Sequence, residues 1–301
     1  MKIAVTGASG FIGKELLDAL GKTENVDAVA ISRAGTVFSS SEYGEAEWRN
    51  SDYTVESLAE VLADTDCVIH LAGVRGTENA PERFAVNETI TESLLKASAL
   101  CGVKRIVFAS TVSVYDDEKL IPWREDAPLK GRTAYGDSKI SCEKLIEEYS
   151  GKHSYTYGIA RIAQVIGEGE KRRGMMNVFI DTAREHGTIK VLGKSVSKRQ
   201  YIFINDLINI LTILAIGNNH YKADNNTVLN VGMEKAYSNY DIAGIVNMVY
   251  KNPTPICYED DYPESNRGFC MDVNKLKEEL QYVPLDMEEA ISELKEMHYD
   301  F

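Results

Sequence analysis

Lys2-Ile3-Ala4-Val5-Thr6-Gly7-Ala8-Ser9-Gly10-Phe11-Ile12-Gly13 decides how the rest of this 301-residue chain is read. Five residues of strand character run straight into spaced glycines and then into a helical period. In that setting each glycine has a mechanical reason. Gly7 permits the turn, Gly10 lets an anion approach the amides at the start of the helix, and Gly13 lets helix and strand pack closely. A pyrophosphate suits such a loop, so Gly7, Gly10, Phe11, Ile12 and Gly13 are expected to hold a dinucleotide.

Outward from this loop, short β-rich runs alternate with helical periods. Val26 to Ser32, Asp66 to Leu71, Lys104 to Ser110 and Tyr155 to Arg161 read as strands; Pro81 to Ala99 and Ala134 to Tyr149 read as helices. Cys67-Val68-Ile69 and Ile106-Val107-Phe108-Ala109 are apolar without alternation, as parallel strands covered on both faces must be. The expected fold is α/β, a doubly wound parallel sheet with a smaller, interleaved C-terminal region. A dinucleotide-binding domain is placed over 1–166, with returning segments at about 200–250, and a mainly substrate-binding region over 167–301. After Gly167 comes a Gly- and charge-rich stretch, then a helix, a strand near Ile189 to Leu192 and a basic turn. Thr227 to Val231 reads as a further buried strand, Ser238 with Asp241 as a capping box, and Asp286 to Met297 as a last helix.

The strand Ala30-Ile31-Ser32-Arg33 lacks the terminal Asp or Glu that would accept from a ribose 2′-hydroxyl. Ser32 and Arg33 suit a 2′-phosphate, which favours NADP over NAD. Asp52 and Tyr53 follow the next short strand and are placed at the adenine, accepting from its amino group and covering the ring. For Asp52 the alternative is a helix-opening cap.

Tyr135 and Lys139 stand four apart in a predicted helix, so both emerge on one face. A nearby ammonium is expected to favour the phenolate and prepare the tyrosine for acid/base chemistry. The alternative is an ordinary solvated helix face.

Composition excludes several classes. A net charge of −13 makes the chain a poor partner for nucleic acid. The basic clusters Lys171-Arg172-Arg173 and Lys198-Arg199 are therefore pointers to a small phosphorylated ligand. Five dispersed cysteines without a Cys-x-x-Cys, and histidines without an i, i+4 pair, give no disulfide framework and no metal site. The longest apolar run, Leu207 to Ile216, is too short to span a bilayer. With no signal-peptide pattern at the N-terminus, a cytoplasmic location is expected.

Gly7-x-x-Gly10-x-x-Gly13, His70-Leu71-Ala72-Gly73, Asn87, Thr111 and Tyr135-x-x-x-Lys139 occur in this order. With them, the chain resembles the extended short-chain dehydrogenases/reductases, which have a Rossmann fold, and more narrowly their NAD(P)-dependent nucleotide-sugar epimerase/dehydratase group. The resemblance implies that Tyr135 is the acid/base, that Lys139 holds the nicotinamide ribose, and that Thr111 binds the reacting oxygen. It further implies that Leu71, Ala72, Gly73, Arg75 and Asn87 line the cofactor. Arg199 would grip a nucleotide diphosphate, with Ser113, Gln164, Asn177 and Arg267 as further substrate contacts.

The implied activities are a 4-epimerase of UDP- or dTDP-hexoses, an NADPH-dependent reductase of nucleotide-linked 4-keto sugars, or a binding protein that has lost its chemistry. Dehydratases of the group follow the catalytic Thr with Asp-Glu, where this chain has Val112 and Ser113, so dehydration is disfavoured. Gln164 replaces a frequent Asn. A homodimer through the helices 81–99 and 134–149 is also implied.

Overall fold

The computed structural model describes residues 1–33, 46–78, 80–169, 174–193, 195–259 and 267–297. The strands are β1 (Lys2–Thr6), β2 (Asp27–Ser32), β3 (Glu47–Asn50), β4 (Cys67–His70), β5 (Arg105–Thr111), β6 (Thr156–Ile162), β7 (Gln164–Ile166), β8 (Lys190–Leu192), β9 (Arg199–Phe203), β10 (Thr227–Val231), β11 (Ala236–Tyr237) and β12 (Cys257–Glu259). The helices are α1 (Phe11–Gly21), α2 (Val55–Leu62), α3 (Pro81–Cys101), α4 (Ala134–Lys152), α5 (Met175–Arg184), α6 (Ile204–Ile216), α7 (Asn239–Val249), α8 (Asn274–Leu280) and α9 (Met287–Met297).

Seven strands form one parallel sheet in the order β10-β6-β5-β4-β1-β2-β3. Its side chains alternate between two apolar layers. Ile3, Val5, Ile69 and Val107 pack with Leu16, Leu17 and Leu20 of α1 and Leu207 and Leu211 of α6. Ala4, Val68, Ile106 and Phe108 face Leu58 of α2, Leu94 and Leu95 of α3, and Cys142 and Ile146 of α4. With both faces covered, the strands have no solvent side, which is why they read as unbroken apolar runs.

The chain does return to the main sheet, since β10 pairs with β6 from Thr227 to Val231. The capping box expected at Ser238 opens α7, with Asp241 N donating to Ser238 Oγ at 3.1 Å and Ser238 N to Asp241 Oδ2 at 2.9 Å. Two smaller sheets, β11-β9-β7 and β12-β8, gather the later segments. Arg199, read from sequence as part of a basic turn, instead opens β9.

The strand order reverses between β1 and β4, and the Gly-rich turn leaves β1 there. In open α/β sheets the crevice beyond the strand ends at such a reversal is where ligands bind.

Candidate active site

Gly7 has φ +69°, and a Cβ on it would come within 2.8 Å of Ala72 N. The turn thus presses against the end of β4, and only glycine allows both the conformation and the contact. Beyond it, α1 begins at Phe11, with Gly13 buried. This loop leaves a bare backbone cradle at a helix N-terminus, which fits a pyrophosphate. At the end of β2, the Ser32 hydroxyl is buried and has no hydrogen-bond partner among the described residues. A polar atom left that way is costly unless a ligand completes it.

Tyr53 stands on the other side of the loop and does more than expected. It is buried, holds φ +67°, and its hydroxyl accepts from Gly7 N at 3.3 Å. It therefore supports the glycine turn directly. Asp52 does not cap α2 itself but braces the residue that does: its Oδ1 accepts from Thr54 N at 2.9 Å and from Thr54 Oγ1 at 2.7 Å, and Thr54 caps α2. Those bonds hold its carboxyl below the usual range.

Tyr135 and Lys139 do not form a solvated helix face. Lys139 is 4% exposed, its Nζ donates to Ala109 O at 2.8 Å and lies 4.4 Å from the Phe108 ring centre and 6.0 Å from that of Tyr135. Burial among these groups brings the Lys139 ammonium down to about 8. Tyr135 differs from expectation. Burial pushes its phenol up to about 12, and the charge that pulls back against burial is that of Arg75, not Lys139. Thr111 ends β5 with its Oγ1 accepting from Ser113 N at 3.2 Å. That bond orients the hydroxyl while leaving its hydrogen available for an oxygen in front of it.

The helix carrying Tyr135 is fixed with little latitude. A Cβ on Gly136 would sit 2.1 Å from Ser113 O, so the first turn of α4 rests directly on the short 3-10 turn after Thr111. Asn87 holds the other side. Its Nδ2 donates to Val74 O at 2.9 Å and to Ser138 Oγ at 3.1 Å, while Oδ1 accepts from Val74 N at 2.7 Å. Both amide hydrogens are engaged within the chain, so Asn87 shapes the loop after β4, where Leu71, Ala72 and Gly73 lie, and ties it to α4.

A buried relay, not foreseen from sequence, joins the same elements. Ala72 N donates to Thr6 Oγ1 at 3.3 Å; Thr6 Oγ1 and His70 Nδ1 are 2.7 Å apart; His70 Nε2 and Thr91 Oγ1 are 3.1 Å apart; and Thr91 Oγ1 donates to Cys142 Sγ at 3.3 Å. These directions are all satisfied by a neutral imidazole protonated on Nε2. Burial, with the Lys139 charge, lowers the His70 pKa from 6.5 to about 3.

A folded-state value this low means that the unfolded chain binds a proton below pH 6.5 that the fold refuses. The His70 contribution is therefore whole above pH 6.5 and is lost as pH falls toward 3. At pH 5 the expected loss is about 2 kcal/mol, at ~1.4 kcal/mol per pH unit. Urea unfolding at pH 7.5 and 5.0 should show wild type losing that much more than His70→Gln; equal losses in the two proteins contradict it.

Three arginines converge where the later segments meet α4. Arg132 NH2 donates to Gly268 O at 3.0 Å, and its guanidinium lies 5.9 Å from the ring centres of both Trp123 and Phe269. Phe269 is bridged to Arg199. Burial lowers the Arg132 pKa, and the like charges of Arg267 and Arg199 add to this. Arg267 is ion-paired to Asp116 at 3.5 Å and Glu118 at 3.7 Å. Asn177 sits in the first turn of α5 with Oδ1 accepting from Gly174 N at 3.3 Å, and Gln164 opens β7, exposed, opposite Tyr201. The cluster Lys171-Arg172-Arg173 lies outside the described residues.

The sequence profile of the NAD dependent epimerase/dehydratase family matches residues 3–232. The chain belongs to this family. UDP-glucose 4-epimerase of Mycolicibacterium smegmatis is 26% identical over 223 residues, 69% of this chain and 71% of that protein. dTDP-glucose 4,6-dehydratase of Streptomyces griseus is 23% identical over 304 residues, 94% of this chain and 89% of that protein. The crystal structure of UDP-N-acetylglucosamine 4-epimerase from Bacillus cereus superposes with a TM-score of 0.85 at 29% identity, covering all of this chain and 97% of the other. Relatives of this epimerase/dehydratase chain thus act on sugar nucleotides, but by more than one reaction. Among the described residues no helix is long and apolar enough to cross a membrane.

Proposed function

We propose that this chain is a nucleotide-sugar 4-epimerase that acts on a UDP- or dTDP-hexose through a transient 4-keto sugar. The observation that carries the reading is the half-buried Tyr135 and the buried Lys139 beside Thr111, in a site where Val112 and Ser113 replace the two carboxylates that elimination of water would use. A bound nicotinamide dinucleotide supplies the acceptance and return of hydride. The Gly7–Gly13 turn, Ser32, Arg33, Tyr53 and the Leu71–Ala72–Gly73 segment are the residues that would hold it.

Tyr135 takes the proton of the C4 hydroxyl and returns it to the oxyanion, while the Thr111 O–H holds that oxygen. Lys139 supplies the local positive charge. Arg199, Arg267 and Asn177, on the smaller region from 167 onward, are assigned to the sugar nucleotide together with Ser113 and Gln164 from the first domain. Arg199 suits a diphosphate by its forked donors. A cytoplasmic homodimer contacting through α3 and α4 completes the proposal.

A second reading, an NADPH-dependent reductase of nucleotide-linked 4-keto sugars, is favoured by one feature: the orphaned Ser32 hydroxyl next to Arg33, a pairing suited to a 2′-phosphate. The two readings separate in one experiment. UDP- and dTDP-sugars and their 4-keto forms are incubated with the purified protein while NADPH absorbance and product stereochemistry are followed. Interconversion of C4 epimers without consumption of reductant is expected. Stoichiometric loss of NADPH with a 4-keto substrate would instead establish the reductase, and binding without turnover across the panel a sensor.

A further inference from the structure

Glu143 lies one helical turn beyond Lys139, so Tyr135, Lys139 and Glu143 share a face of α4. It is 2% exposed, and its carboxylate accepts a short hydrogen bond from Ser110 Oγ. Ser110 immediately precedes Thr111. The same carboxylate takes Arg161 Nε at 3.2 Å and Arg161 NH2 at 2.8 Å. Arg161 then donates from NH1 to Tyr115 Oη at 2.7 Å and Glu125 O at 2.8 Å. Tyr115 donates to Asn230 Oδ1 at 2.8 Å, and Asn230 Nδ2 reaches Trp123 O at 2.9 Å and Asp272 O at 3.0 Å.

The network starts on the catalytic helix and ends on the late segment at Asp272. A carboxylate needed only to neutralise Arg161 would not also need Ser110, whose place is next to the residue that meets the reacting oxygen.

We propose that Glu143 is a positioning residue: its buried carboxylate clamps the strand end bearing Thr111 to the helix bearing Tyr135 and Lys139, and through Arg161 sets both against the late segment at Asp272. The inference rests on the reading of Tyr135 as the acid/base. It has an electrostatic companion, since the charge of Glu143 is one of the two influences that keep the Lys139 ammonium from being lost at still lower pH, the other being Cys142. The other groups around Lys139 among the described residues are uncharged: Phe108 and the Ala109 carbonyl on β5, Asn87 on α3, neutral His70 on β4 and the half-buried Tyr135 phenol.

The test uses two variants of the full chain. Ser110→Ala keeps the Glu143–Arg161 pair and cuts only the tie to β5; kcat should fall by about 10-fold or more, as for a small misplacement of reacting groups. KM, dinucleotide stoichiometry and the pH profile should stay as in wild type. Glu143→Gln should lower kcat and move the Lys139 titration to lower pH, read by NMR of the 13C-methylated lysine, a signal that needs no turnover. Wild-type kcat in Ser110→Ala overturns the proposal, even if Glu143→Gln does not fold. An unmoved Lys139 titration in a folded Glu143→Gln overturns the electrostatic part. If wild type turns over no sugar nucleotide, the functional reading fails while the Lys139 titration still tests Glu143.

Discussion

Tyr135→Phe is expected to reduce kcat by ~10²–10⁴-fold, the usual contribution of a positioned proton donor and acceptor, with little change in fold or dinucleotide binding. The ring is kept, so its contact with Phe84 at 5.9 Å between ring centres survives. Only the hydroxyl goes, and with it the one side-chain group assigned to move a proton at the sugar oxygen. Because burial holds the phenol up to about 12, Tyr135 is protonated at neutral pH. Donation to an oxyanion is then immediate, whereas proton removal from the C4 hydroxyl requires the phenol to lose its proton first.

The half-reaction that oxidises the sugar should therefore speed up with rising pH until Lys139 loses its charge near pH 8. Steady-state and single-turnover rates from pH 6 to 9 check both points. A Tyr135→Phe protein that retains most of its kcat would remove the epimerase and the reductase together.

The frame was legible because its signals are local. The glycine turn after β1, the unbroken apolar strands and the four-residue step from Tyr135 to Lys139 are patterns a few residues long, and each appears where the pattern puts it. Asp52 and Asn87 stand out in the sequence, but how their polar atoms are bonded depends on Thr54, Val74 and Ser138, and the Asn87–Ser138 contact spans 51 residues. The direction of the Tyr135 shift was misjudged for a similar reason. Spacing gives the distance to Lys139, whereas the dominant influence is burial, supplied by the whole surrounding fold.

Glu143 carried a readable signal, a carboxylate one turn beyond Lys139 on the face that Tyr135 and Lys139 share. Arg161 did not. An arginine ending a buried strand is intelligible only once Glu143, 18 residues earlier, is seen to meet it.

Arg161→Met should cost about 3–5 kcal/mol, the range for breaking a buried ion pair from one side. Arg161 and Glu143 are 4% and 2% exposed at the side chain, so neither can turn to water. The substitution removes five hydrogen bonds, three to Glu143 and one each to Tyr115 and Glu125, and leaves an uncompensated carboxylate in the interior. Against a total stability of ~5–15 kcal/mol, that is a large share.

Its pH dependence gives the mechanism away. A buried carboxylate without a partner is held more easily with a proton on it, so the variant should recover stability relative to wild type as pH falls from 7.5 to 5. Removing the charge as well, in Arg161→Met/Glu143→Leu, should return much of the loss, because apolar groups of similar size replace a buried pair at little cost. Chemical denaturation of the three proteins at both pH values decides it. If the double variant is no more stable than Arg161→Met, lost packing or the lost bonds to Tyr115 and Glu125, and not the stranded charge, dominate at this position.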